Sequence, residues 1–537
     1  MNPGFGQIPL PSAPAPEIMH RMADPTGPSS VTSFAPQEGD VIQLRSYPSE
    51  PDALAMVLES YATDHELLPI QVIDDRLYVA CAELPDFRVI SELQTLTRHQ
   101  IVPLIASRNE VLESIRQRYR LLPAVDGHVR AFTEARLLQP QDGRDLQEVS
   151  ENSPVVRVVS LIISQGLRDR ASDIHIEPQQ NSLRIRFRID GILNDALALP
   201  KAMGPSLASR IKVMANMDIV DRHRAQDGQI RLEGEDRPVD IRVSTAETIW
   251  GEKVVLRLLD QGRTVLSLDQ LGLTEQGYDR MSQLMKSPYG MIVVSGPTGS
   301  GKTTTLYAGI RELDPIAQNI TTIEDPVEYT FPNINQIQIR RVANLTFANG
   351  LKAILRQDPD VILVGEIRDL ETAEIAIQSA LTGHLVLSSL HATDAAGVVQ
   401  RFMEMGIEGF LISSALVGVV AQRLVRRICD RCKEEYEPSH EEMTLWHEYG
   451  SGDKQHFFRG RGCPHCAATG YRGRIGVFEV LQLSESIKRL VSAKSSAQDI
   501  REEALKEGMV SLRAEAVQKV AADITTLSEV IRCVWVN

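Results

Sequence analysis

The sequence predicts an α/β protein whose core is a parallel sheet. Three features point to it. Four short apolar runs, 291–295, 320–323, 361–364 and 385–390, have the length and composition of strands buried on both faces. Each run stops at chemically capable residues: the glycine-rich stretch from Gly296, the pair Glu324-Asp325, the pair Gly365-Glu366, and His391. The glycine-rich stretch joins a strand-like run to a segment, 303–313, that suits a helix. Ligands of open parallel sheets bind beyond the carboxyl ends of the strands. One edge would therefore gather Lys302, Thr303, Glu324, Asp325, Glu366 and His391.

The stretch Gly296-Pro297-Thr298-Gly299-Ser300-Gly301-Lys302-Thr303 matches G-x-x-x-x-G-K-[ST] in full. Such glycines let backbone N–H groups curl around phosphate oxygens, and the following helix presents its positive end to the same anion. These residues, with Thr304 beside them, are expected to bind ATP with Mg²⁺. Lys302 would reach the β/γ-phosphates and the Thr303 hydroxyl would ligate the metal. Hydrolysis also needs a group that orients or deprotonates water, for which Glu366 is the first candidate. Gly365 stands where the simple pattern places a metal-linked Asp, so Glu324, Asp325 or Glu328 is expected to supply that carboxylate. His384 and His391 are candidates for sensing the γ-phosphate or polarising water.

A chain of 537 residues is too long for one core, and three or four domains are expected. Residues 1–45 are rich in Pro, Gly, Ser and Ala and are read as a disordered extension. Residues 46–121 alternate helix and strand: helices over 54–61, 90–96 and 110–119, strands over 77–81 and 101–105. Residues 122–150 are expected to be a linker. The second module, 151–265, opens with a helix over 155–166 and continues with alternating strands at 172–177 and 183–190, a basic helix at 205–217 and more strands up to 258. The ATP-binding core is assigned to 266–427, a four-cysteine module to 428–475 and a helical remainder to 476–537.

The formal net charge is −14. It argues against broad nucleic-acid binding, which needs Lys and Arg to displace counterions, and no nucleic-acid partner is expected. No secretory signal or membrane-spanning apolar run is evident; the longest candidate, 410–421, is interrupted by Ser413, Ser414 and Gly418. A soluble cytoplasmic protein is expected, with any membrane attachment made through partners.

The second module is rich in cations: Arg210 and Lys212 on one helix, then Arg222, Arg224, Arg231, Arg242 and Arg257. A guanidinium on the γ-phosphate stabilises transition-state charge and often comes from another domain or subunit. Arg210 and Arg224 are the leading candidates for that role, with Arg340, Arg341, Arg356 and Arg368 of the core as alternatives. Four of the six cysteines form two C-x-x-C pairs, Cys429/Cys432 and Cys463/Cys466, 30 residues apart. Four thiolates so spaced can close a tetrahedral Zn²⁺ site of a structural kind. Cys81 and Cys533 are read as packing residues.

Several segments together resemble the secretion ATPases of the type II/type IV pilus superfamily, over residues 45–537. They are Ala171-Ser-Asp-Ile-His-Ile-Glu-Pro178, Arg186-Phe-Arg-Ile-Asp-Gly191, Ala225-Gln-Asp-Gly228, the loop at 296–303, Thr322-Ile-Glu-Asp-Pro-Val-Glu-Tyr329, Arg356-Gln-Asp-Pro-Asp360 with Gly365-Glu-Ile-Arg-Asp369, and Thr382-Gly-His384 through His391. The cysteine module followed by Gly470-Tyr-Arg-Gly-Arg-Ile-Gly476 looks like the metal-binding domain of the E-type ATPases of type II secretion and of pilus-assembly ATPases. The resemblance implies a RecA-like core, a PAS-like α+β domain that supplies arginines, and a small N-terminal domain that docks on the cytoplasmic domain of a bitopic inner-membrane platform protein. It further implies a homo-hexameric ring at the cytoplasmic face of the bacterial inner membrane, working with a polytopic platform protein. The implied function is ATP hydrolysis that powers pseudopilus assembly and export by a type II secretion system, or alternatively assembly of a type IV pilus. Ala225 and Gln229 depart from the family pattern, which commonly has Pro and a basic residue there, and the first module shows no cyclic-dinucleotide motif.

Overall fold

The computed structural model describes residues 39–42, 44, 47, 49–50, 53–54, 56–119, 122–137, 153–233, 238–259, 265–340, 343–450 and 454–535. The proline-rich extension up to residue 38, the rest of the expected linker from 138 to 150, and Arg341 lie outside the described residues. Among the described residues no helix is long and apolar enough to cross a membrane.

The first module begins with α1 (Glu59–Asp64) and the hairpin of β1 (Leu67–Ile73) and β2 (Arg76–Cys81). The two turn residues, Asp74 and Asp75, have φ of 48° and 63°, the left-handed pair that a two-residue hairpin loop requires. Helix α2 (Phe87–Thr97) carries the chain over to β3 (Gln100–Ile105), which pairs with β2 in parallel, and α3 (Arg108–Arg118) follows. Arg118 at the end of α3 is buried; it donates to the carbonyls of Leu44 and Tyr47 and lies 3.5 Å from Asp195 of the second module. The linker expectation is corrected in its first half, because Leu122–Leu137 is a helix, α4. Val125 and Val129, four residues apart, are buried and give that helix an apolar stripe to pack on α5 (Pro154–Arg168).

The second module is one antiparallel sheet. It comprises β4 (Asp173–Pro178), β5 (Ser182–Ile189), β6 (Ile192–Pro200), β7 (Gln226–Glu233), β8 (Pro238–Thr248) and β9 (Gly251–Leu259), in the order β6-β5-β4-β9-β8-β7. Period-two alternation sorts its residues. Ile174 and Ile176 face α5 and α6 (Gly204–Met214), while Asp173, His175 and Glu177 lie on the opposite, charged face.

The core is a seven-stranded sheet of order β12-β11-β13-β14-β10-β15-β18. Helix α7 (Glu275–Met285) leads into β10 (Gly290–Ser295), and the glycine-rich loop leads into α8 (Lys302–Ile310). Then come β11 (Ile320–Glu324), β12 (Asn335–Gln338), α9 (Phe347–Ile354), β13 (Val361–Val364), α10 (Leu370–Leu381), β14 (Leu385–Leu390), α11 (Ala395–Glu404) and β15 (Leu416–Ile428). These strands pair in parallel, and the four runs read as buried strands are β10, β11, β13 and β14. In the cysteine module β16 (Lys433–Tyr436) and β17 (Phe457–Gly460) pair antiparallel, and β18 (Tyr471–Gln482) returns to the core sheet antiparallel to β15. The expected boundary at 476 is therefore corrected: residues 476–482 are strand, and the cysteine module is an excursion at the tip of the β15–β18 pair. Helices α12 (Glu485–Ser492), α13 (Ala497–Lys506), α14 (Leu512–Ala521) and α15 (Leu527–Val534) finish the chain. Buried Glu479 on β18 ties these parts together, accepting from the N–H of Ala395 at 2.9 Å and of Leu512 at 3.2 Å, the first residues of α11 and α14. A carboxylate there answers the unsatisfied donors of two helix starts at once.

Helix α9 packs so closely on β11 that a Cβ on Gly350 would stand 2.0 Å from Ile323 Cδ1. Gly350→Ala is expected to overpack this contact and cost about 1–3 kcal/mol, read as a lowered melting temperature of the full chain; an unchanged melt would contradict this packing.

Candidate nucleotide site and cysteine cluster

The loop leaves β10 at Gly296 and enters α8 at Lys302, with Gly301 at φ 89°. Its base is clamped against β15. A Cβ at 296 would stand 2.5 Å from the Gln422 carbonyl oxygen, and one at 301 would stand 2.9 Å from Gln422 Nε2. Gln422 Oε1 accepts from the Thr305 hydroxyl at 2.7 Å, one turn into α8. Pro297, Thr298 and Gly299 form an exposed crest, and Ser300 Oγ is buried without a hydrogen-bond partner among the described residues. Lys302 Nζ donates to the Gly296 and Pro297 carbonyls at 2.9 and 3.2 Å. Burial holds its pKa below the usual lysine value; Glu366 opposes this and Arg423 adds to it. Thr303 and Thr304 share the first turn of α8 with Lys302, where backbone N–H groups lack helical partners.

Glu366 is set by its neighbours in the chain. The Gly365 N–H donates to the Ile323 carbonyl at 2.8 Å, the Ser389 hydroxyl donates to the Gly365 carbonyl at 2.8 Å, and the Ile367 N–H donates to the Ser389 carbonyl at 3.0 Å. Between these anchors the Glu366 carboxylate meets Arg368 Nη2 at 2.5 Å and lies 3.9 Å from His391 Nε2. A Cβ at 365 would lie 3.3 Å from the Ile323 carbonyl oxygen, so the position the simple pattern gives to Asp is crowded here. Asp325, exposed beyond β11, acts on the same Arg368.

Glu324 does not join this group, and its expected catalytic or metal-facing role is corrected. It is 3% exposed and points into the core, where Oε1 accepts from the Thr322 hydroxyl at 2.7 Å and from Gln336 Nε2 at 3.2 Å, and Oε2 accepts from the Tyr307 hydroxyl. Its oxygens are occupied within the protein. Glu328, four residues past the end of β11, is exposed yet crowded by the residues around it, and its N–H donates to the Tyr307 hydroxyl of α8 at 3.4 Å. That crowding, and then the Glu324 charge, push its carboxyl above the usual range, while Arg242 and Arg257 pull it back.

The histidines separate. His391 directly follows β14, beside the loop; burial and then Lys302 lower its pKa, with Glu366 and a hydrogen bond to the Gly296 backbone opposing. His384 precedes β14, and its carbonyl accepts from the Gly290 N–H at 3.1 Å, at the amino end of β10. Its Nδ1 lies 2.9 Å from the Ser379 carbonyl oxygen at the end of α10. A strand rising about 3.3 Å per residue puts it roughly 20 Å from the loop, so the expectation that His384 contacts nucleotide is corrected.

Neither Arg210 nor Arg224, expected to serve from another domain or subunit, makes a described hydrogen bond or ion pair with the nucleotide loop of its own chain. Arg210 lies on α6, the helix covering the apolar side of the second module's sheet, and Arg224 is exposed in the loop before β7, its N–H bound to Asp221 Oδ1 at 3.1 Å. The second-module arginines whose charge reaches the site are Arg242 and Arg257, acting on Glu328. Sequence reasoning missed Tyr307, Gln422 and Arg423. The last two follow an apolar run in the middle of β15, level with the end of β10, the same signal that marked the other strands. Arg423 donates to the Thr393 carbonyl at 2.7 Å and to the Gln422 carbonyl at 3.0 Å.

The four cysteines converge: their sulfurs all lie within 4.8 Å of one another. The Cys429–Cys463, Cys432–Cys466 and Cys463–Cys466 separations are 3.9, 3.8 and 3.7 Å. A Zn–S bond of about 2.3 Å gives tetrahedral S···S edges of about 3.8 Å, whereas a disulfide would be about 2.05 Å. The donor set thus fits Zn²⁺ in a closed, structural site. At the loop, the Thr303 hydroxyl with the nearby carboxylates offers the oxygen donors that Mg²⁺ prefers. Gently purified chain is expected to carry about one Zn²⁺ per molecule, and Cys463→Ser to lose most of it; metal analysis finding well under one Zn²⁺ in wild type would rule the site out.

Residues 148–532 match the family described as type II/IV secretion system protein, and residues 39–124 match the MshEN domain. The type IV pilus assembly ATPase PilB of Myxococcus xanthus is 39% identical over 513 residues, 94% of this chain and 90% of that one. The type II secretion system ATPase E of Vibrio cholerae is 47% identical over 395 residues, 73% of this chain and 78% of that one. Among solved structures, the Legionella pneumophila ATPase DotB superposes with a TM-score of 0.52 at 19% identity, over 72% of this chain and 96% of that one, which speaks for the fold. A family match over most of the chain, joined to a complete phosphate-binding loop, leads to one conclusion: the chain belongs to the type II/IV secretion system protein family and is an ATP-hydrolysing secretion ATPase.

Proposed function

We propose that this ATPase powers pseudopilus assembly and protein export by a type II secretion system. It would work as a homo-hexamer on the cytoplasmic side of the bacterial inner membrane. The first module would dock on the cytoplasmic domain of a bitopic platform protein, and the ring would drive a polytopic one. The observation that carries the reading is the single sheet edge at which Lys302, Thr303, Glu366, Arg368 and His391 meet. Type II secretion relatives at 40–47% identity support the choice of system. Assembly of a type IV pilus is the second reading, favoured by one observation: the pilus relative matches 94% of the chain, first module included.

Each residue then has a task. The loop N–H groups and Lys302 hold the β- and γ-phosphates. Thr303, with Asp325 or Glu328 behind it, would hold Mg²⁺, which supplies charge neutralisation between those phosphates. Glu366 orients a water and takes its proton as the water oxygen bonds to γ-phosphorus. The bond from γ-phosphorus to the β,γ-bridging oxygen breaks, leaving ADP and phosphate. Arg368 fixes the Glu366 carboxylate with His391 beside it, and Arg242 and Arg257 offset charge developing on the phosphoryl oxygens. Cys429, Cys432, Cys463 and Cys466 hold Zn²⁺ as a structural ion.

Glu366→Gln is expected to keep nucleotide affinity within a few-fold while kcat falls about 10²–10⁴-fold; turnover at the wild-type rate would defeat this assignment. For the system, the full chain is captured from crosslinked membranes of its host. Recovery of secretion platform proteins and pseudopilins supports the first reading, pilus platform protein and pilin the second, and neither set contradicts both.

A further inference from the structure

The strand register of the second module places four residues in one row across the sheet. Asp173 on β4 pairs with Arg188 of β5 on one side and with Arg257 of β9 on the other, and Arg257 pairs in turn with Arg242 of β8. Residues directly opposite one another in an antiparallel ladder point to the same face. The row therefore stands on the charged face of the sheet, opposite the helices, and carries three guanidinium groups and one carboxylate.

That carboxylate is the buried member. The Asp173 side chain is 8% exposed, with Oδ1 3.0 Å from Arg257 Nε and Oδ2 3.4 Å from Arg188 Nε. The Ser172 hydroxyl fixes Oδ2 further, donating at 2.9 Å. Arg257, by contrast, keeps 65% of its side chain exposed. A grip on Nε leaves the terminal Nη1 and Nη2 outside that bond, and they form the fork that matches phosphate. The charge of Arg257, with that of Arg242, reaches Glu328, whose N–H meets the Tyr307 hydroxyl on the helix that follows the phosphate-binding loop.

We propose that Asp173 is a positioning residue for ATP hydrolysis: it holds Arg257 by Nε so that the guanidinium fork is aimed, before nucleotide arrives, at the space between the second module and the phosphate-binding loop. This rests on the assignment of Arg257 to the phosphoryl group made above. A long arginine side chain loses much rotamer freedom when it must find one pose. An anchor on the sheet, which is rigid, removes that loss from the reaction step. Arg188 on the far side keeps Asp173 centred between the two strands.

The test is a mutant cycle on the full chain, with ATP turnover and melting temperature measured together. Asp173→Asn keeps size but weakens the grip; kcat is expected to fall about tenfold or more with KM for ATP within about threefold. Asp173→Glu, which restores the charge, is expected to recover part of kcat. Asp173→Asn combined with Arg257→Ala is expected to be no slower than Arg257→Ala alone, because the anchor has nothing left to hold. If Asp173→Asn does not fold, Asp173→Glu takes its place in the same cycle. The proposal is overturned by a folded Asp173→Asn with wild-type kcat, or by a double variant that loses the product of the two single effects. A lowered melting temperature with unchanged kcat would likewise make Asp173 merely structural. If Arg257→Ala itself keeps wild-type kcat, the arginine assignment fails rather than the anchoring.

Discussion

The parallel pairing of β10 with β14, and of β14 with β13, fixes where three chain segments end. Ser295 lies opposite Leu390, and Val364 opposite Ser388, so the glycine loop, His391 and Gly365-Glu366 leave the sheet within two residues of one another. Everything the site does depends on this alignment. The bonds from Gly365 to Ile323 and Ser389 then leave Glu366 little freedom, and the packing of β15 leaves the loop little more. Burial of these strands on both faces makes the ladder stiff, because slipping by one residue would exchange every side chain between two apolar layers.

Around that edge the chain distributes charge by layer. The core brings Lys302, Arg368 and Arg423 to the loop, and Arg242 and Arg257 of the second module act on Glu328. The nearby acids divide in two. Glu366, Asp325 and Glu328 face the cleft, while Glu324 and Glu479 are buried and satisfy donors of the fold itself. Burial of Glu324 is functional at one remove: its bond to Tyr307 holds the hydroxyl that in turn accepts from the Glu328 N–H at 3.4 Å.

The cysteine module stands apart from this chemistry. The Cys429 N–H donates to the Gly470 carbonyl at 3.0 Å, so the cluster sits where β15 and β18 separate. An ion there would pin the ends of two long strands, the first of which flanks the nucleotide loop at Gln422. The excursion leaves the strand pairing intact on both sides, which is why an insert of this size is tolerated in the middle of the core.

The sequence by itself determined the parallel core, the phosphate-binding loop, the convergence of Glu366 and His391 on it, and the four-cysteine set. Each rests on a local pattern: an apolar run of strand length, a fixed glycine spacing, or a pair of thiols two residues apart. It could also have marked Gln422 and Arg423, which end such a run. Only the tertiary structure decided which acids and cations face the cleft. Glu324 and Asp325 are adjacent and chemically alike, yet Glu324 ends β11 inside the core and Asp325, one residue past the strand, stands in solvent. His384 and His391 frame the same strand, and the direction of that strand puts them at opposite edges. Arg210 and Arg257 are equally basic in sequence, but one rides the helices on the apolar side of a sheet and the other stands on its charged face. These choices depend on which face of a strand or helix meets another module, and that is a property of packing rather than of any local pattern.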